Sequence, residues 1–125
     1  MHLSVDQMSA FYQSPLGGMV RQRIGKEIRS LWPNTTAERV VGLGHATPYL
    51  APFVSEAERV LAFMPAAHGI LHWPDEGPNR SALAFETDLP LPDASVDRIV
   101  MVHLLEGTND PFNTMREAWR VLVPS

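Results

Sequence analysis

Apolar positions along this chain switch between a helical and a strand period, and the alternation predicts an α/β fold. From Ser14-Pro15 onward, Leu16, Met19, Val20, Ile24, Ile28 and Leu31 recur at helical spacing and stop before Pro33. Met1 to Gln13 reads as a loose arm. Its Phe11 and Tyr12 would anchor it to the core or fold over a bound ligand as a lid. After Asn34-Thr35-Thr36 the apolar runs shorten. Glu38–Leu43, Arg59–Met64, Ser81–Phe85 and Val96–His103 have the length and composition of strands. A short helix from Pro48, limited by Pro52, separates the first two, and a weakly periodic crossover over Ala66–Trp73 follows the second. Asp110-Pro111 opens a last helix with Phe112, Met115, Trp119 and Leu122 on one side. Strands alternating with helices predict a parallel sheet.

The centre of the pattern is Val40-Val41-Gly42-Leu43-Gly44-His45-Ala46-Thr47-Pro48-Tyr49-Leu50, a buried strand running into a glycine turn and a helix start. Glycines at such a turn let a ligand approach the backbone, and the helix offers free N–H groups. Thr47 is expected as N-cap, with Pro48 at the first helical position.

Composition narrows the function classes. The 125 residues carry a net charge of -4, which argues against a nucleic-acid partner. Arg21, Arg23, Lys26 and Arg29 lie mainly off the apolar stripe and read as a solvated helix face. Cysteine is absent, excluding disulfides and thiolate chemistry. No apolar run approaches the ~18 residues of a membrane span, so a cytoplasmic protein with no membrane contact is expected. His68 and His72 have the i, i+4 spacing of paired metal ligands, but no third ligand stands near and no metal is expected.

The segment Leu89-Pro90-Leu91-Pro92-Asp93-Ala94-Ser95-Val96-Asp97, then His103-Leu104-Leu105-Glu106, Asp110-Pro111 and Arg116-Glu117-Ala118-Trp119-Arg120-Val121-Leu122-Val123-Pro124, closely resembles the Rossmann-like class of S-adenosylmethionine-dependent methyltransferases. The central glycine stretch resembles that family's first motif. The resemblance implies a Rossmann-like sheet in the order 3-2-1-4, methyl transfer to an unidentified acceptor, and S-adenosyl-L-methionine as cofactor. It places Gly42, Gly44, Ala46, Tyr49, Met64, Glu86, Leu89 and His103 at the cofactor, with His103 the one plausible general base.

Several positions depart from the family pattern. Gly42 stands where an acid usually holds the methionine end, and Phe63, Met64 and Pro65 where an acid usually holds the ribose. Phe85, followed by Glu86, stands where an Asp often reads the adenine. Two further readings therefore stay open: a methyltransferase-like binding module without catalysis, and a truncated piece. The expected organisation is a single partial domain over 1–125, with arm and helix to 33 and the cofactor-binding core from 34. The family's C-terminal strands would be missing, leaving the apolar fourth strand as an open edge, which predicts self-association through it.

Overall fold

A computed structural model describes residues 4–65 and 72–124 of the chain. The elements run α1 (Val5–Gln13), α2 (Pro15–Leu31), β1 (Arg39–Gly44), α3 (Thr47–Val54), β2 (Arg59–Pro65), β3 (Ser81–Ala84), β4 (Arg98–Val102) and α4 (Pro111–Val121). The four strands form one parallel sheet in the order β3-β2-β1-β4, as expected. β1 is central, with Gly42 opposite Ala62 on one side and Val100 on the other.

Each face of the sheet carries its own core. Val40, Val60, Ala62 and Val100 pack with Tyr49, Leu50 and Phe53 of α3, and Ile28 and Trp32 rest against them. On the opposite face, Val41, Leu43 and Phe63 pack with Leu89, Val96, Leu104, Ala118 and Val121. Alternate residues of β1 and β2 thus serve opposite faces, as burial on both sides of a parallel sheet requires.

The N-terminal segment is a helix, not a loose arm. Ser4 accepts from the Gln7 N–H, and the Gln7 side chain accepts from the Ser4 N–H, a reciprocal cap that satisfies two otherwise orphaned donors. In α2, Leu16, Met19, Ile24 and Leu31 are exposed; the helix meets its neighbours through buried Gly17 and half-buried Ile28. Gly17 suits that seam because a Cβ there would strike the Phe11 carbonyl. The expected stripe therefore marks a helix but not its buried side.

Local boundaries shift as well. Ala46, not Thr47, is the cap residue of α3, with no side-chain cap bond, and Thr47 is its first helical residue. β3 ends at Ala84, and Phe85 pairs only with Asp88 in a one-residue bridge. β4 is shorter than expected, since Val96 pairs with Leu122 and His103 turns out of the strand at φ +54°. Asp110 caps α4 as expected, accepting from the Asn113 N–H at 3.1 Å. His68 and most of the Ala66–Trp73 crossover lie outside the described residues.

Candidate functional site

The residues expected at the site gather at the carboxyl ends of the strands in two groups. The first surrounds Gly44, which closes β1 at φ +81°; a Cβ there would run into the Val102 carbonyl oxygen. That carbonyl also accepts the His45 N–H at 2.8 Å, so the ends of β1 and β4 are locked together where only glycine fits. Gly44 shares a small cavity with Leu43, Phe63, Pro65, Ala84, Glu86, Leu89 and Leu104. Its volume is about 10 Å³, room for one water. Its walls are apolar, and Glu86 brings the one carboxylate.

Two polar ties hold these walls. Glu86 accepts a bond from the Thr108 hydroxyl at 3.0 Å, joining the end of β3 to the loop before α4. The Leu89 N–H donates to Glu117 at 2.9 Å, and the Leu89 carbonyl accepts from Arg120 at 3.1 Å. Arg120 also reaches Glu117 and Asp93, each at 2.6 Å. The Arg120 guanidinium holds the Glu117 carboxyl below the usual carboxylate range. Glu117 and Arg120, part of the stretch that resembles the family helix, fasten the loop that carries Leu89. Their i, i+3 spacing on a helix was the available signal, but their target lies about thirty residues upstream.

The second group lies at the mouth between β1 and β4. The Tyr12 hydroxyl, from α1, sits 2.8 Å from the Tyr49 hydroxyl and 3.1 Å from His103 Nε2. His103 Nδ1 faces Glu106 at 3.3 Å. The Tyr12 ring stacks on His45, with centroids 5.5 Å apart and planes 20° apart. Burial, with the Tyr49 bond next, pushes the Tyr12 phenol well above its ordinary pKa, so it stays protonated and able to donate. Three parts of the chain, α1, α3 and the end of β4, thus meet at the Tyr12 hydroxyl. The left-handed backbone at His103 is uncommon outside glycine, and it directs the ring back toward Tyr12 instead of along the sheet.

The remaining expected residues lie deeper. Gly42 is buried beneath α3, where an added Cβ would meet Leu50 Cδ1 at 2.6 Å and the Ala46 methyl at 2.7 Å. Leu50 and Ala46 therefore fill the space a side chain at 42 would need. Met64 is buried and alternates with Phe63, placing it on the face of Val60 and Ala62, away from the Glu86 cavity. Among the described residues no cluster of three or more His, Asp or Glu could hold a metal. No helix among them is long and apolar enough to cross a membrane.

Known proteins with this arrangement point one way. A structure from Methanococcus maripaludis, assigned to the S-adenosylmethionine-dependent methyltransferases, superposes with a TM-score of 0.68 at 17% identity, over 94% of this chain and 57% of its own. An S-adenosylmethionine-dependent methyltransferase from Mesorhizobium loti gives 0.59 at 23% identity, over 79% and 48%. A Haloferax volcanii protein, solved in complex with the Trm112 methyltransferase activator, gives 0.62 at 21% identity, over 94% and 56%. At these identities the likeness establishes the fold, and the chain spans about half the length of the structures it matches. No curated protein matches it. S-adenosylmethionine is named as the cofactor of the Methanococcus maripaludis and Mesorhizobium loti proteins. A family model for the methyltransferase domain matches residues 40–125, from the first strand through α4, and the chain belongs to that family.

Proposed function

We propose that this chain is the cofactor-binding half of an S-adenosylmethionine-dependent methyltransferase. The observation that carries the reading is the Gly44 cavity, lying beyond the carboxyl ends of β1, β2 and β3, where parallel sheets take their ligands. Its donor set fits the group. Phe63, Leu89 and Leu104 supply apolar walls for a flat base, and Glu86 supplies an acceptor for an exocyclic amine or a ribose hydroxyl. The volume fits only after those walls part, because a one-water cavity admits no ring. Gly44 lets the backbone come close. Tyr49, with Tyr12, offers hydroxyls at the mouth for the amino-acid end, while Gly42, Ala46 and Met64 lie outside the cavity, on the α3 side of the sheet.

Bound S-adenosylmethionine supplies a methyl group on a positively charged sulfur, which any well-placed nucleophile can attack. The protein's part is then to exclude water and hold the acceptor in line. His103, oriented through Nδ1 by Glu106, is placed to take a proton at Nε2 from an acceptor that must lose one. Tyr12 holds that nitrogen in the resting arrangement, so the acceptor would displace its hydroxyl.

Isothermal titration of S-adenosylmethionine and of its demethylated product into the chain tests the reading. Saturable binding that Glu86→Gln weakens by about tenfold, one charge-assisted bond's worth, is the expected result. Absence of heat with both ligands would overturn it in favour of a binding module without catalysis, the reading that Gly42 and the missing acid at the end of β2 favour.

A further inference from the structure

The mouth between β1 and β4 holds a phenol that comes from outside the sheet. The Tyr12 hydroxyl lies 2.8 Å from the Tyr49 hydroxyl and 3.1 Å from His103 Nε2. Its ring stacks on His45 and stands at right angles to the Tyr49 ring, with centroids 5.8 Å apart. These three partners belong to the turn after β1, to α3 and to the end of β4, whereas Tyr12 alone comes from α1. Without Tyr12 they enclose a flat slot. An imidazole face lines one side, and a hydroxyl and a ring nitrogen converge at its polar end.

We propose that this slot is the acceptor site and that the acceptor is an aromatic hydroxyl compound, for which Tyr12 stands in at rest. The transfer step rests on the methyltransferase reading above; the binding of the ring does not. The stacked His45 face and the upright Tyr49 ring select a flat occupant, since aromatic pairs prefer these two geometries. The polar end selects a hydroxyl. With the Nδ1 hydrogen turned to Glu106 at 3.3 Å, Nε2 is an acceptor, and Tyr49 has a hydrogen to give. Together they ask for one donor and one lone pair on the same atom, which a phenol has and an ammonium lacks. Burial, with the Tyr49 bond next, raises the Tyr12 phenol above its ordinary pKa, so a phenol held there keeps its proton until a base takes it. His103 is that base. The acceptor O–H gives its proton to Nε2 while its oxygen bonds the methyl carbon, and the electron pair of the broken carbon–sulfur bond stays with the sulfur, which departs as an uncharged thioether.

Binding measured without cofactor reads the slot by itself. 4-Methylphenol, the tyrosine side chain freed of its backbone, should bind Tyr12→Ala at least about tenfold tighter than toluene, which leaves Nε2 and the Tyr49 hydroxyl unpaired. Tyr12→Phe keeps the ring but drops both hydrogen bonds, so 4-methylphenol should bind it several-fold tighter than wild type, where it must displace the Tyr12 hydroxyl. A Tyr12 that served the fold alone would give no such gain. Adding His103→Phe to Tyr12→Ala should erase the preference over toluene. With S-adenosylmethionine present, wild type should methylate 4-methylphenol faster than benzylamine. Equal affinity for toluene, no gain in Tyr12→Phe, faster transfer to benzylamine, or no transfer in a chain that binds both ligands would each overturn the proposal. Failure of the cofactor reading shows separately, as a silent S-adenosylmethionine titration beside an intact preference for 4-methylphenol.

Discussion

The two sides of α4 are built in opposite ways. One side is polar and fastened: Glu117 and Arg120 grip both backbone groups of Leu89 and the Asp93 carboxylate, fixing a wall of the candidate site. The other side is apolar and bare, with Phe112, Met115 and Trp119 turned outward. A helix is usually expected to bury its apolar stripe and expose its charges. Here the charges do the fastening within the chain, and the stripe stays exposed. Burial inside the fold is carried by small residues between the two sides, Thr114, Ala118 and Val121.

The largest expected effect falls away from α4, at the junction of β1 and β4. Gly44→Ala forces a Cβ into the Val102 carbonyl from a left-handed backbone, and a loss of more than about 3 kcal/mol is expected. A denaturant midpoint close to wild type would show that this junction can give way. On the fastened side, Glu117→Ala leaves the Leu89 N–H without its acceptor and Arg120 with Asp93 and the Leu89 carbonyl alone, for a loss of about 1–3 kcal/mol. Equilibrium unfolding measures it, and faster amide exchange at Leu89 would place the damage in the loop.

A second fastening tests whether polar ties hold this fold generally. Glu56 accepts from Arg29 and from the Thr35 hydroxyl and N–H, which together lower its pKa from the ordinary 4.5 to about 2. The folded chain therefore binds this proton more weakly than the unfolded chain. Its contribution is complete above about 4.5 and is lost as pH falls toward 2. Glu56→Gln should remove that part of the acid sensitivity, and melting curves that stay parallel to wild type down to acid pH would contradict it. The smallest effect belongs to the bare side. Trp119→Ser should stay within about 0.5 kcal/mol of wild type, because the ring is mostly in solvent. A larger loss would mean that the stripe serves the fold itself, reversing the contrast.

Much of this was legible in the residues. The strand runs, the glycine turn and the Asp110-Pro111 helix start are local signals, and the structure keeps them with end shifts of a few residues. The likeness of Leu89–Pro124 to a methyltransferase motif set found the family. At the candidate site, Gly44, Glu86 and Leu89 converge on one cavity, whereas Tyr49 and His103 meet a different partner, Tyr12. Tyr12 drew notice as an aromatic beside a helix start. Its place between Tyr49 and His103 was not readable, because those residues lie 37 and 91 positions away.

The sequence by itself determined the alternation of elements and with it a parallel sheet, since period and turn chemistry act over a few residues; the strand order came from the resemblance to the methyltransferase family. The tertiary structure alone decided which way each helix turns. The stripes of α2 and α4 announce apolar surface equally well whether neighbouring elements cover it or not, and the space over Gly42 is set by Leu50 and Ala46, which only the packing of α3 brings there.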